Sequence, residues 1–488
     1  MIASSETAPA GQRFSDLPLS PALKDVLVEL GFQQLTPIQA ETLPPLLAGS
    51  DLIGQSATGS GKTAAFALPI LQRIKLSQRR PQALILCPTR ELASQVAREL
   101  RRLGRKLPGL QVLTLSGGEW SGPQVASLDK GVHIVVGTPG RVLDHVKRKT
   151  LPLKQLQQVV LDEADRMLDM GFQDDIMAIF KETPPQRQTI FFSATFPPSI
   201  EEMSERLQRQ AVRVSIQSEA RDTRKIRQIF YEVSSQHKLA ATRTLLAQHP
   251  SESTIIFCNQ KAGVSELAAA LAEEGASVGC LHGDLEQRDR DLVMARLRNR
   301  SLCILIATDV AARGIDVSDL DLVINYDLPF KSENYVHRIG RTGRAGKKGL
   351  AVSLVTPRER ERLAAFEEAL GQSFERAKLP SGPVPGRSKG AAAANEDTEC
   401  AAEPAYKKAE MATIFIGGGR KDKLRPTDIL GALTGEAAGL QASKVGKIEI
   451  HDRFSYVAVS KDIAGRTVER LQKGRIKTRV FPVELVRH

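Results

Sequence analysis

Residues 51–74 read DLIGQSATGSGKTAAFALPILQRI. A short apolar run, a turn rich in glycine and serine, and an apolar helical run follow one another without a break. In a parallel α/β sheet this is the strand–loop–helix that cradles phosphate, because the loop's backbone N–H groups and the helix N-terminus together attract an anion. The strict pattern is G-x-x-x-x-G-K-[ST]. Gly61, Lys62 and Thr63 supply its end, but Ser56 stands at its first position and Gly54 comes two places too early. On this reading Lys62 reaches the outer phosphates and the Thr63 hydroxyl ligates Mg2+.

Outward from this loop, apolar runs alternate with helix-patterned stretches. QALILCP, QVLTLS, HIVVGTP, QVVLDEAD and QTIFFSAT follow it, and STIIFCN, SVGCLHG, LCILIATD, LVINYDLP and LAVSLVTP repeat the alternation after residue 225. Continuously apolar strands suit a parallel sheet covered on both faces. The fold expected is α/β: two tandem doubly wound, RecA-like domains over 21–217 and 226–378, after an N-terminal extension over 1–20. QSEARDTRK between them reads as a short hinge. Residues 379–410, rich in Ala, Pro, Gly and charge, read as a flexible linker. Residues 411–488 then read βαββαβ.

The chain has 488 residues, 41% hydrophobic and 25% charged, with a formal net charge of +12. That is enough apolar material for several cores, and the basic balance suits a polyanionic partner. Residues 411–488 hold 15 Lys and Arg against 8 Asp and Glu, so more than half of the excess sits in the last sixth of the chain. The five cysteines, Cys87, Cys258, Cys280, Cys303 and Cys400, are widely spaced. Three lie in strand-like runs, which fits free thiols in a reducing cytoplasm and gives no sign of a disulfide framework or a zinc site. The N-terminus lacks the pattern of a signal peptide and no apolar run is long enough to span a membrane.

QVVLDEAD carries the second half of the chemistry. Acidic groups at the carboxyl end of a parallel strand sit beside the phosphate loop. Asp162 is placed to hold Mg2+, partly through water, and Glu163 to orient and deprotonate an attacking water.

The string DEAD at 162–165 resembles the name-giving signature of the DEAD-box RNA helicases, whose loop reads A-x-T-G-S-G-K-T; Ser56 then replaces an alanine and Thr58, Gly59, Ser60, Gly61, Lys62 and Thr63 match throughout. The resemblance covers about 370 residues in order. GFQQLTPIQ (31–39), with Phe14 upstream, is similar to the family's Q motif, which implies that Gln39 reads the adenine edge and Phe32 packs on the base. PTREL (88–92), Gly117-Gly118 and TPGR (138–141) are similar to its first-domain RNA motifs, implying RNA contacts at Arg90, Gly118, Thr138 and Arg141. SAT (193–195) implies coupling of hydrolysis to strand separation through Ser193 and Thr195. In the second domain the resemblance implies RNA contacts at Gln287, Arg290, Thr308 and Asp309, and a ribose contact at Asp316. HRIGRTGR (337–344) implies arginine fingers at Arg341 and Arg344, and domain coupling by His337 and Arg338. The activity implied is RNA-stimulated ATP hydrolysis with local duplex unwinding. ATP and RNA would both favour domain closure, because the loop and the arginine fingers lie on different domains.

Residues 411–488 resemble an RNA recognition motif, and GGGRKDKLRPTDILGALTG with VGKIEI and YVAV is similar to the RNA-binding domain of the DbpA-type helicases. RFSYVAV (453–459) keeps Phe454 and Tyr456 as candidate stacking rings but lacks other parts of the usual third-strand signature. The basic alternatives are Lys421, Lys423, Arg425, Lys473, Arg475, Lys477 and Arg479. The resemblance implies a hairpin of 23S ribosomal RNA as target, a place in 50S assembly, and a monomer acting in the cytoplasm. A general RNA chaperone of messenger RNA decay or cold adaptation is the alternative. A non-enzymatic RNA clamp is disfavoured by the intact Lys62, Glu163, Arg341 and Arg344.

Overall fold

The computed structural model describes residues 12–56, 59–118, 120–216, 226–312, 320–343, 349–379, 406–435, 438–451 and 453–486. Two compact units divide at 221/222, within the polar stretch read as a hinge.

The first unit is built on seven parallel strands: β1 Leu52–Gln55, β2 Ala83–Leu86, β3 Val112–Leu115, β4 Ile134–Gly137, β5 Gln158–Asp162, β6 Gln188–Ser193 and β7 Val212–Ser215. Their order is β3-β4-β2-β5-β6-β1-β7. Successive side chains leave a strand on opposite faces, and here both faces are dry. Ile85, Val136, Val160 and Phe192 pack with helices Lys62–Arg73 and Arg90–Leu103. Leu84, Val135, Leu161 and Phe191 pack with Pro139–Lys147 and Gln173–Lys181. Double coverage is why these strands read as unbroken apolar runs. The expected N-terminal extension is shorter than 1–20, because from residue 12 the chain is already part of this unit. Arg13 bridges Gln34, and Phe14, Leu17 and Leu19 are buried in the same core.

The second unit repeats the plan with β8 Ile226–Glu232, β9 Thr254–Phe257, β10 Val278–Leu281, β11 Ile304–Ala307, β12 Leu322–Asn325, β13 Gly349–Val355 and β14 Glu375–Ala377. The order is β10-β11-β9-β12-β13-β8-β14, again parallel throughout. It continues into a small antiparallel sheet, β15 Met411–Ile416, β16 Val445–Ile450, β17 Ser455–Ser460 and β18 Val483–Leu485, ordered β16-β17-β15-β18. Helices Pro426–Thr434 and Ala464–Lys473 cover one face through Ile429, Leu433 and Leu471. The βαββαβ order is as expected, and its last strand is short, Val483–Leu485. Residues 476–479 form a tight turn with Lys477 at φ +65°, and Pro482 has no N–H to give a ladder.

The expected flexible linker is also shorter. Residues 380–405 lie outside the described residues, but 406–410 are held against the second parallel-sheet domain. Tyr406 and Ala409 are buried in its core, the Tyr406 hydroxyl donates to Glu274, and Lys407 pairs with Glu252 at 2.9 Å. The small sheet itself docks by its open face. Arg298 reaches Glu449 with two bonds of 2.7 Å, and Thr413 meets Ser301 at 2.6 Å and Asn299 at 3.3 Å. Burial alone would push the Glu449 carboxyl up, but the Arg298 guanidinium outweighs it and holds the group below its ordinary value.

Removing the charge with Glu449→Gln leaves Arg298 half paired at this seam. Charge-assisted bonds contribute about 1.5–3 kcal/mol each, so amide exchange in β15 and β17 of the full chain should accelerate several-fold. Unchanged exchange there would show that the ion pair does not hold the seam.

Candidate active site and nucleic-acid interface

Three carboxyl ends converge in the first unit. β6 lies between β5 and β1, so the turn after β1, the DEAD string after β5 and the SAT string after β6 are neighbours, where ligands bind in open α/β sheets. Helix Lys62–Arg73 begins directly after Gly61, which has φ +96°. A Cβ on Gly61 would lie 2.4 Å from Gln39 Nε2, so both conformation and space require glycine. Thr36 Oγ1 donates to Ser60 O at 2.7 Å, and Gln39 Nε2 donates to Gly61 O at 3.0 Å. Thr58 lies outside the described residues. The unusual Ser56 uses its hydroxyl, which meets Ser60 Oγ at 2.8 Å, while Lys62 Nζ donates to Ser56 O at 3.0 Å. Serine at 56 therefore adds a fastening to the loop that alanine could not.

The acidic string is almost wholly buried. Asp162 Oδ1 has no hydrogen-bond partner among the described residues. Burial pushes its carboxyl up to about 7, against the pull of Lys62 and with the charge of Glu163 adding to the rise. A buried carboxylate oxygen without a partner among the described residues, together with the Thr63 hydroxyl of the adjoining loop, offers oxygen donors of the kind a hard cation such as Mg2+ takes. Glu163 sits at φ 56°, ψ 52°, a conformation costing a non-glycine residue about 1–3 kcal/mol. Arg166 Nη1 fixes its Oε2 at 2.7 Å. Asp165 faces the other way. It accepts from Ala194 N at 3.2 Å and from Thr195 N and Oγ1 at 2.9 and 2.8 Å, and its own N–H donates to Ser193 Oγ at 3.3 Å. DEAD and SAT are thus one bonded unit.

The first-unit RNA candidates also come together. The Arg90 guanidinium lies over Gly117 and Gly118, so close that a Cβ on Gly118 would collide with it. Thr138 precedes helix Pro139–Lys147, and Arg141 Nη1 donates to Gln124 Oε1 at 3.4 Å. Gln39 and Phe32 are engaged by the protein itself. Both ends of the Gln39 amide are occupied, by Gly61 O and by Thr36 N at 2.9 Å, and the Phe32 ring packs edge-on against Phe14 with Arg102 5.8 Å from its centroid.

In the second unit Arg338 occupies the centre of a polar cluster. This side chain is about 1% exposed and binds within its own domain. It reaches Asp309 at 2.6 and 2.7 Å, Asn259 Oδ1 at 2.8 Å, Asp327 O at 2.6 Å and Asn325 Oδ1 at 3.3 Å, with Phe257 beneath it. It therefore joins the ends of β9, β11 and β12, and Asp309 is engaged by it in both oxygens. Thr308 caps the turn at Ala311 N, Arg290 donates to Ala311 O at 2.7 Å, and Gln287 opens helix Gln287–Arg298. His337 and Arg341 flank Arg338; Asp316 and Arg344 lie outside the described residues. Sequence reasoning missed Thr36, Arg166, Asn259 and Asp327. Arg166 was legible as a helical i, i+3 partner of Glu163, whereas the asparagine and aspartate are joined only by the strand order.

On the small sheet, Tyr456 is buried, and burial lifts its hydroxyl to about 12. Phe454 stacks on His451 at 4.5 Å and packs with Phe415 and Tyr456. These rings share the face that carries Thr413 and Glu449, the face docked on the neighbouring domain. The two basic turns meet elsewhere: Lys477 Nζ donates to Lys423 O at 3.2 Å, and Arg479 lies 3.9 Å from Asp422. Lys421, Lys423, Arg425, Lys473, Arg475, Lys477 and Arg479 are all exposed.

Residues 36–203 match the DEAD/DEAH box helicase family, 237–346 the helicase conserved C-terminal domain and 413–485 the DbpA RNA binding domain. The ATP-dependent RNA helicase DbpA of Escherichia coli is 46% identical, over 96% of this chain and 98% of its own. DeaD of Mycobacterium tuberculosis is 36% identical over 96% and 93%. Among solved structures, S. cerevisiae Dbp5 bound to RNA and ADP BeF3 is 32% identical with TM-score 0.69, covering 76% of this chain and 96% of that one.

Because Asp162 is raised from its ordinary 3.8 to about 7, the folded chain holds this proton more tightly than the unfolded chain. Its contribution to stability is present below about pH 4 and is lost as pH rises to about 7. With nucleotide and metal omitted, Asp162→Asn should therefore unfold about 5 °C above the parent at pH 8, with the gap narrowing as pH falls and closing only near pH 4. A pH-independent gap would refute the assignment.

Proposed function

The chain belongs to the DEAD-box ATP-dependent RNA helicases, and from that membership we propose that it hydrolyses ATP on structured large-subunit ribosomal RNA and acts in 50S assembly as a monomer in the cytoplasm. The observation that carries the address is the small C-terminal domain: its DbpA-type sequence, together with two basic turns, 417–426 and 473–479, joined on one exposed end by the bond from Lys477 to Lys423 O. The docked aromatic face leaves this basic end as the surface offered to RNA.

In the catalytic reading, Thr63 and Asp162 would hold Mg2+, which would supply charge neutralisation. Loop N–H groups and Lys62 position the phosphates. Glu163, oriented by Arg166, takes the proton of the attacking water. Asp165 relays the state of the acidic string to Ser193 and Thr195. Gln39 exchanges its present partners for the adenine edge. Arg341 and Arg344, carried by the second parallel-sheet domain, stabilise the transferring phosphoryl group once the domains close. Arg90, Gly118, Thr138, Arg141, Gln287, Arg290 and Thr308 offer backbone grip with little base selectivity.

Two measurements test this. Glu163→Gln should lower RNA-stimulated ATP turnover by about 10²–10⁴-fold while nucleotide binding persists; turnover near the parent rate would remove Glu163 as the base. Turnover with a 23S fragment spanning the peptidyl-transferase region should greatly exceed turnover with the same fragment lacking its hairpin, or with poly(A). Equal stimulation by all three would leave a helicase without this address and favour the general chaperone.

A further inference from the structure

Trp120 is the single tryptophan of the chain, and it is 81% exposed. Isolated exposed apolar residues are ordinary on protein surfaces, but this one is neither loose nor isolated from function. It stands in extended conformation at the N-cap of helix Ser121–Asp129. Its six-membered ring sits over Gly122, where a Cβ would come within 2.9 Å of Cζ2 and 3.0 Å of Cη2. Glycine thus gives the indole a flat backbone seat on one side and leaves the rest of the ring to solvent. The helix it opens is anchored by buried Gln124, which donates to Ser116 O at 3.3 Å and accepts from Arg141. Two residues upstream is Gly118, beneath the Arg90 guanidinium. The seated ring therefore belongs to the same short segment as Gly118, a segment that Arg90 and Arg141 contact.

We propose that Trp120 is a stacking platform for an unpaired RNA base next to the first-domain grip, adding a π-face to a surface that otherwise offers guanidinium and backbone groups. A seated indole loses little freedom when a base covers it, and stacking accepts any base, which suits a grip without a sequence code. The inference rests on the reading of Arg90, Gly118 and Arg141 as RNA contacts.

The native chain carries its own probe, since all indole emission comes from Trp120. With full-length protein, Mg2+ and AMP-PNP, single-stranded oligo(U) is titrated in two formats: anisotropy of labelled RNA, and tryptophan emission with acrylamide quenching. Binding should quench the emission and lower acrylamide access. Trp120→Ala should weaken nucleotide-dependent binding about tenfold without changing the slope of affinity against salt, since stacking releases no counterions. Trp120→Phe should recover most of the loss, and Gly122→Ala, which lifts the ring from its seat, should reproduce part of it. RNA bound by anisotropy with unchanged emission overturns the inference alone, whatever Trp120→Ala does, and leaves the indole to a protein partner. Absence of nucleotide-dependent RNA binding overturns both the inference and the grip it rests on.

Discussion

A charge taken out of water has to be answered by opposite charge or hydrogen bonds, and each parallel-sheet domain organises its carboxyl edge around one such group. In the first it is Asp165, whose carboxylate accepts three bonds from the chain after β6. In the second it is Arg338, which is bonded to groups at the ends of three strands. Neither can move alone. A displacement of Asp165 strips partners from Ala194 and Thr195, and a displacement of Arg338 leaves a buried guanidinium and Asp309 unpaired, which is strongly destabilising. Strand ends that would otherwise be independent loops are thereby made to move as sets.

The contrast between Asp165 and Asp162 shows how four adjacent residues divide labour. Asp165 is satisfied and structural, while Asp162 keeps one buried oxygen without a partner among the described residues and a raised proton affinity. Glu163 between them is held in a left-handed conformation by the turn into helix Ala164–Asp169. The site thus stores desolvation and backbone strain at the two positions read as catalytic and spends hydrogen bonds on the third.

Much of this was legible in the sequence. The strands of both large domains were visible because burial on two faces makes them continuously apolar, and the phosphate loop, acidic string and arginine string announce themselves as contiguous motifs. What was not legible depends on side chains that meet only after folding. Arg338 reads as one residue of the string HRIGRTGR, and nothing there shows that the order of β11, β9 and β12 gathers Asp309, Asn259 and Asp327 around it. Residues 12–20 look like an extension, yet Phe14 finds Phe32. The pattern of 379–410 is polar enough to read as linker throughout, and the seat for Tyr406 and Ala409 exists only on the assembled second domain. Tyr456 reads as a stacking ring because the signature says nothing of what faces it.

The docking of the small sheet by Arg298 and Glu449 takes on a further meaning because the two partners share one chain. Separate molecules that associate give up translational and rotational freedom, a cost of at least several kcal/mol. A domain covalently joined to its seat meets it at an effective concentration that is on the order of millimolar for a short connection. One bidentate ion pair and a few hydroxyl bonds can therefore hold the domain in a fixed orientation while each contact remains individually weak. Anything gripped by its basic end is then presented along a set direction instead of over the whole sphere that a free tether would sweep.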